Sequence, residues 1–278
     1  MVTVFHPSDF SPASESAFAH ALKIALVTKA RFEIMHVAHS GEDVHWTDFP
    51  RVRETLEGWQ ILPEGSRKED VASLLNLRVE KIIARGNDPV QSILRHVRDN
   101  QVDLVDLTTH QREGLARWLH GAVAEPVARR LKTMTLFVPG TGKGFVSLAD
   151  GAVKLEKVLI PIDRTPDPQS ALDDAVALVS GLGCKQGTFV LVHVGAEADM
   201  PAVKLPQHEG WTWRQITREG GVVEEIHHVE RDWSADLIVL ATQGHRGFMD
   251  ALRGSTTERV LRGARCPVLA VPVVPEKA

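Results

Sequence analysis

Short apolar runs alternate along this chain with longer stretches in which apolar residues return every three or four positions. The first pattern is that of a buried strand, the second that of an amphipathic helix. Residues 4–22 read VFHPSDFSPASESAFAHAL: an apolar run, Asp9, Ser11-Pro12, then a helix that gathers Phe18, Leu22 and Leu26 on one face. Residues 159–176, LIPIDRTPDPQSALDDAV, repeat that order with Asp163, Thr165-Pro166 and a helix carrying Leu172, Val176 and Val179. Ser or Thr before Pro predicts a helix cap followed by the first helical residue. Second strands follow at FEIMHV (32–37) and FVLVHV (189–194).

The repetition continues without a gap. Residues 103–139 and 236–272 align at an offset of 133 with thirteen identities in 37 positions, among them Asp103/Asp236, Gly114/Gly247, Gly121/Gly254, Glu125/Glu258 and Pro139/Pro272. Between the second and third strands the second half is 24 residues shorter. The first half has RKEDVASLLNL (67–77) there, which predicts a helix, and the second has the Pro- and Gly-rich 195–210, which predicts a loop. Remaining strands are expected near 79–84, 103–108 and 134–139, and near 212–217, 236–241 and 267–274. Each half then reads as strands alternating with helices, an α/β domain with a five-stranded parallel sheet. The glycine-rich segment around 140–154 separates them. The expected division is a domain at 1–140, a linker at 141–154 and a domain at 155–278.

The chemistry gathers in the second half. Strand 237–242 runs into QGHRGFMDALRGSTTERVL, where Gly244 and Gly247 are three apart and Gly254-Ser255 opens a helix. Glycines let backbone amides approach an anion, and a helix N-terminus offers unpaired N–H groups. Parallel sheets bind ligands beyond the carboxyl ends of their strands, where both this loop and Asp163 are expected. A structural reading stands beside it: Ser255 to Glu258 is also a capping box, and Asp163 alone suits a helix cap.

These residues resemble the universal stress protein family, in a tandem two-domain form. The resemblance rests on the aspartate after strand one in HPSDFSP, the glycine pattern after strand four, and the tail GSTTERVLRGARCPVLAVP. It implies the family's adenine nucleotide alpha hydrolase-like fold, with the halves packed as an intramolecular pseudo-dimer through strands 134–139 and 267–274. It also implies that Asp163 lies near an adenine and that the backbone of Val194 lies by the base. Gly244, Gly247, Gly254 and Ser255 would hold ribose and phosphates, with Thr256 supplying a hydroxyl. His245 lies inside the same loop. The family's ATP-binding branch has nine residues between the second and third glycines; here there are six. The ligand is accordingly expected to be ATP or a smaller adenine nucleotide, AMP or ADP. In the first half Gln111 replaces the first glycine and Ala122 the serine, while Asp9, Val37, Gly114 and Gly121 remain as a degenerate site.

Composition narrows the alternatives. Apolar residues make up 43%, charged residues 24%, and mean hydropathy is −0.10, as in ordinary globular proteins. No apolar stretch spans a bilayer and no secretory signal is evident, so a cytoplasmic protein is expected. The net charge of −4 gives no footprint for nucleic acid or an anionic membrane. Two cysteines, Cys184 and Cys266, support neither a disulfide framework nor a thiolate zinc site. The histidines His193, His208, His227, His228 and His245 lack metal-ligand spacing, and no metal is expected beyond magnesium carried by a nucleotide. GTGKG (140–144) fails the Walker pattern. FPRVRETLEGW (49–59) is amphipathic and predicts a cover over the sheet, with a partner surface as its alternative. The expected function is a stress-response sensor that binds an adenine nucleotide in its second half, partnered by an unknown protein and open to homodimerisation. Slow ATP hydrolysis is compatible with this reading, although no general base is identifiable. A nucleotide-free interaction module, and a hydrolase using Asp163 and His245, stand as the other readings.

Overall fold

The computed structural model describes residues 2–109, 127, 130–140, 143–243 and 256–273. The chain divides into two compact units, Met1–Val153 and Lys154–Ala278. In the first, β1 (Thr3–Pro7), β2 (Arg31–Ala38), β3 (Arg78–Arg85), β4 (Leu104–Thr109) and β5 (Met134–Pro139) lie in the order β3-β2-β1-β4-β5. In the second, β6 (Lys157–Pro161), β7 (Gly187–Val194), β8 (Trp211–Arg218), β9 (Leu237–Gln243) and β10 (Val268–Val273) lie in the order β8-β7-β6-β9-β10. The ladders between these strands within each unit are parallel. The first unit carries helices α1 (Glu15–Thr28), α2 (Val52–Gly58), α3 (Lys68–Leu75) and α4 (Pro89–Asp99), and the second α5 (Gln169–Gly181), α6 (Val222–Trp233) and α7 (Thr256–Gly263).

The central strands are buried on both faces, as parallel sheets flanked by helices require: Val4 and Phe5, like Leu159 and Ile160, are almost wholly inaccessible. The repeated aspartates explain their own recurrence. Asp103 Oδ2 accepts the Thr3 amide at 2.7 Å, and Asp236 Oδ2 accepts the Glu156 and Lys157 amides at 2.9 and 3.0 Å. Each carboxylate satisfies backbone donors where the first strand of its unit enters the sheet.

Local starts differ from the Ser/Thr-Pro expectation. Pro12 opens a 3-10 turn (Pro12–Ser14), but Ser11 caps nothing through its side chain; Ser14 Oγ instead donates to the Ser11 carbonyl at 2.7 Å. Thr165 is no cap either: α5 begins at Gln169, whose amide Asp167 accepts at 2.9 Å. Helix α4 shows the expected chemistry at another place: Asp88 accepts the Gln91 amide at 3.1 Å and Pro89 takes the first turn.

The stretch 143–153 packs on the first unit. Phe145 and Val146 are buried, and their amides both donate to His20 Nε2, at 2.9 and 3.1 Å. His20 Nδ1 donates to the Ser16 carbonyl at 2.6 Å, which fixes the neutral tautomer; burial lowers its pKa to about 4. Gly144 lies so close to this ring that a side chain there would collide with it. Trp59, after α2, donates to the Leu148 carbonyl at 3.0 Å. Phe49, Val52, Leu56 and Trp59 are all buried, so the amphipathic 49–59 segment turns its apolar face inward as a cover.

Between β7 and β8 the second unit has one 3-10 turn, Glu197–Asp199, and otherwise irregular chain. Trp211 and Trp213 both pack on Phe189, with ring centroids 4.4 Å away in each case. That arrangement is the shared strand face that period two predicts.

Candidate functional site

Strand order defines where each unit can take a ligand. In the second, the chain passes from β6 to β7 on one side and later returns to β9 on the other, so the switch point lies between β6 and β9. Crevices form outside the carboxyl ends of strands at such points. Pro161 pairs with Val192, which sets Asp163 level with Val194. Val158 pairs with Leu237, which sets Thr242 level with Asp163. Two candidates from distant stretches of sequence, Asp163 and Val194, therefore meet one sheet end together with Gln243, the last described residue before the glycine segment. Gly244, His245, Gly247, Gly254 and Ser255 lie outside the described residues, as do Gly114 and Gly121. Thr256 is exposed at the first position of α7.

Asp163 is exposed and does not cap α5; its Oδ1 accepts the Arg164 amide at 2.7 Å. Arg164 reaches over the ends of β6 and β7, donating to the Asp199 carbonyl at 3.3 Å and to Asp199 Oδ1 at 3.1 Å. Gln169 exchanges two hydrogen bonds with the Lys204 backbone, and Trp213 donates to the Pro206 carbonyl at 2.9 Å. These contacts pin the loop 195–210 beside Asp163.

Beneath Val194 lies His193, 3% exposed. Its Nδ1 is 3.3 Å from the Ile162 carbonyl, and its Nε2 has no partner among the described residues. A side chain on Gly195 would come within 2.9 Å of that nitrogen. The first unit repeats this construction. Pro7 pairs with Met35, so Asp9 stands level with Val37, and His36 Nδ1 meets the Ser8 carbonyl at 2.8 Å. In both units the imidazole thus binds the carbonyl just before the aspartate, bracing the loop that presents it. Sequence reasoning set His193 only among histidines without metal spacing and left His36 aside; the signal was the His-Val pair closing both second strands. Val37 is buried, and Asp9 Oδ1 accepts the Ser11 amide at 3.0 Å.

On α6, His227 and His228 are paired with carboxylates one turn away, Glu230 and Glu225, each at 3.0 Å. Among the described residues no group of three or more His, Cys, Asp or Glu side chains is placed to hold a metal ion. Cys184 and Cys266 are free thiols; burial raises the Cys184 pKa to about 11, and burial with the nearby Glu230 carboxylate holds the Cys266 thiol well above the usual thiol range. Neither has the thiolate character of a nucleophile.

Comparison with known proteins agrees with this architecture. The universal stress protein family model matches residues 3–139 and 204–272, and the chain belongs to that family. Universal stress protein Rv2005c of Mycobacterium tuberculosis is 24% identical over 294 aligned positions, covering 94% of each chain. Universal stress protein MJ0531 of Methanocaldococcus jannaschii is 37% identical over 82 residues, which are 30% of this chain and 48% of that protein. A universal stress protein structure from Archaeoglobus fulgidus superposes with a TM-score of 0.64 at 18% identity, covering 97% of this chain and 98% of that one. At that identity the likeness supports the α/β fold of two family halves. No helix among the described residues is long and apolar enough to cross a membrane.

Proposed function

We propose that this universal stress protein is an adenine-nucleotide-binding sensor or regulator whose better site is in the second half. The observation that carries the reading is the convergence at one sheet end of Asp163, Val194 and the chain entering the G-x2-G-x6-G-S segment. In this reading the base lies by Asp163 and Val194. Gly244, His245, Gly247, Gly254, Ser255 and Thr256 hold the ribose and phosphates through amides, hydroxyls and the helix end. The shorter glycine loop favours AMP or ADP over ATP. The first half, with Gln111 and Ala122 in place of Gly and Ser, contributes no phosphate site. The proposed units of function are 1–140 and 155–278, joined by 141–154.

The test is the mass spectrum of small molecules released on denaturing the purified protein, together with calorimetric titrations of ATP and AMP. The expected result is about one nucleotide per chain, lost in Gly247→Asp while the fold, read by circular dichroism, is kept. No released nucleotide and no heat at millimolar ligand would replace this reading with the nucleotide-free interaction module.

A further inference from the structure

Lys81 stands in mid-strand on β3, the outer strand of its unit, level with Ile34 of β2. Its ammonium lies over the ring of Phe49, 5.7 Å from the centroid. Phe49 is 1% exposed and is held in place: Phe10, itself stacked on His36 at 4.0 Å, meets it edge-on at 5.0 Å, and Trp46 stacks on it at 5.7 Å. This aromatic floor fixes where the amine sits. Among the described residues Lys81 makes no ion pair and no hydrogen bond. The neighbouring carboxylate, Glu54, is engaged by Arg53 at 3.1 Å. Two further cations act on Lys81: Arg51 from the cap of α2 and Lys68 from the first position of α3, both exposed.

Three cationic groups thus share one partly buried place with a carboxylate that is already paired. Loss of the Lys81 charge relieves both the burial and the repulsion. Burial, with Lys68 and Arg51 in support and Glu54 opposing, accordingly lowers the Lys81 pKa below the ordinary lysine range. A lysine so placed offers more free amine, which is its nucleophilic form. Lys23 gives the comparison within the same unit. It lies over Trp59 at 5.9 Å and burial lowers its pKa as well, but the charged neighbour there is Asp150, which opposes the shift. Lys23 has the ring without the cations.

We propose that Lys81 is a site of covalent modification by small acyl phosphates, with Arg51 and Lys68 drawing in the phosphate while the amine attacks the carbonyl carbon. The ammonium first gives one proton to solvent. The C–N bond then forms as the C–O bond to phosphate breaks, a second amine proton leaves with inorganic phosphate, and the product is a neutral amide. That neutrality decides the class of donor. A phosphorylated aldehyde would suit the same cations, but its protonated imine keeps the charge that this place disfavours, and the amide removes it. The site is independent of the nucleotide reading of the second half.

The test uses the full chain with acetyl phosphate and, as an uncharged donor, the N-hydroxysuccinimide ester of acetic acid. Peptide mass spectrometry reads the initial rate of acetylation at each lysine. With acetyl phosphate at low salt, Lys81 is expected to react about tenfold faster than the exposed Lys185 and Lys204. Added salt should erode that lead. The ratio of Lys81 to Lys23 should be larger with acetyl phosphate than with the ester, because Asp150 repels only the anion. Arg51→Gln/Lys68→Gln changes two exposed positions and should keep the fold, read by circular dichroism, while bringing Lys81 down to the rate of Lys185. If the double variant does not fold, Lys68→Gln alone carries the same test with a smaller loss. Lys81→Arg should leave the rates at the exposed lysines unchanged. A Lys81 no faster than Lys185 and Lys204 with acetyl phosphate overturns the proposal. So does a lead that survives removal of the two cations, or a Lys81 to Lys23 ratio that is the same for both donors.

Discussion

The two units share one frame and fill it with different chemistry. Beside the β1–β4 ladder the first unit places His6 Nδ1 3.3 Å from Asp106 Oδ1, both side chains wholly buried and without other hydrogen-bond partners among the described residues. The registers Val4–Leu104 and Val158–Leu237 show that the same places in the second unit are Ile160 and Val239. A second pair follows suit. Glu33, fully buried, meets His96 Nε2 at 2.6 Å and Arg31 Nε at 3.0 Å. Its counterpart by register is Val190, and His96 stands seven residues before Asp103 as the buried Val229 stands seven before Asp236. The same backbone accepts ionisable pairs or apolar ones. The pairs are thus not needed to make the fold, and their cost falls on the first unit alone.

The largest effect should come from breaking one pair by half. His6→Ile copies the second unit at one position and strands the Asp106 carboxyl in an apolar layer. Removing one partner of a buried pair typically costs about 3–5 kcal/mol, whereas exchanging both for apolar residues is neutral or stabilising by about 1–4 kcal/mol. Urea denaturation should therefore show His6→Ile losing stability on that scale, and His6→Ile/Asp106→Val recovering it or exceeding the parent. A single variant as stable as the parent would mean that the two side chains are not coupled.

The pair also shapes the response to acid. Burial raises the Asp106 carboxyl to about 6, against the ordinary 3.8, although His6 opposes the rise. The folded chain thus takes up this proton before the unfolded chain, and stability gains as pH falls from about 6 to 3.8. His20 works the other way, with a pKa lowered from 6.5 to about 4. The unfolded chain protonates first there, so stability is lost as pH falls from 6.5 towards 4. Each slope approaches about 1.4 kcal/mol per pH unit, and in the parent the two oppose. The His6→Ile/Asp106→Val chain retains only the His20 loss. Its advantage over the parent should shrink by about 3 kcal/mol between pH 7 and pH 4, read from denaturation midpoints of the first unit. A constant advantage across that range would mean that Asp106 is already ionised alike in both states.

Much of this was legible in the repeat. Two apolar segments of one period, an Asp after each first strand and identities at fixed offset placed eight strands within two residues of their observed limits and the first strand of each half before its Asp, and showed the lack of a helix between β7 and β8. Asp163 and Val194 were assigned to one sheet end, where register does bring them. What escaped depends on distance. His6 and Asp106 lie 100 residues apart, and only register makes them neighbours. Phe10 sits in SDFSP, which reads as a loop, and nothing local reveals that its ring turns back onto His36. The misread start of α5 has a different origin: Thr165-Pro166 and Asp167-Pro168 both satisfy the cap pattern, and Asp167 supplies the bond.

The smallest effect separates the two covers. In the first unit the segment above the crevice is held by buried rings; in the second it is held at the surface, by Arg164 on the 197–199 turn and by Gln169 on Lys204. Exposed ion pairs contribute little because water already solvates both partners and ordering long side chains costs entropy. Arg164→Ala should therefore change overall stability by no more than about 0.5 kcal/mol. Its effect should be local. The Asp199 and Met200 amides, bonded to Ala196 and Glu197 at 2.9 and 3.2 Å, lose the clasp that keeps their turn against β6. Hydrogen exchange at these two amides should quicken while exchange across 39–50 stays as in the parent. Unchanged exchange at Asp199 and Met200 would show that the Gln169 and Trp213 bonds alone hold the loop, and that Arg164 stands free to meet whatever enters beside Asp163.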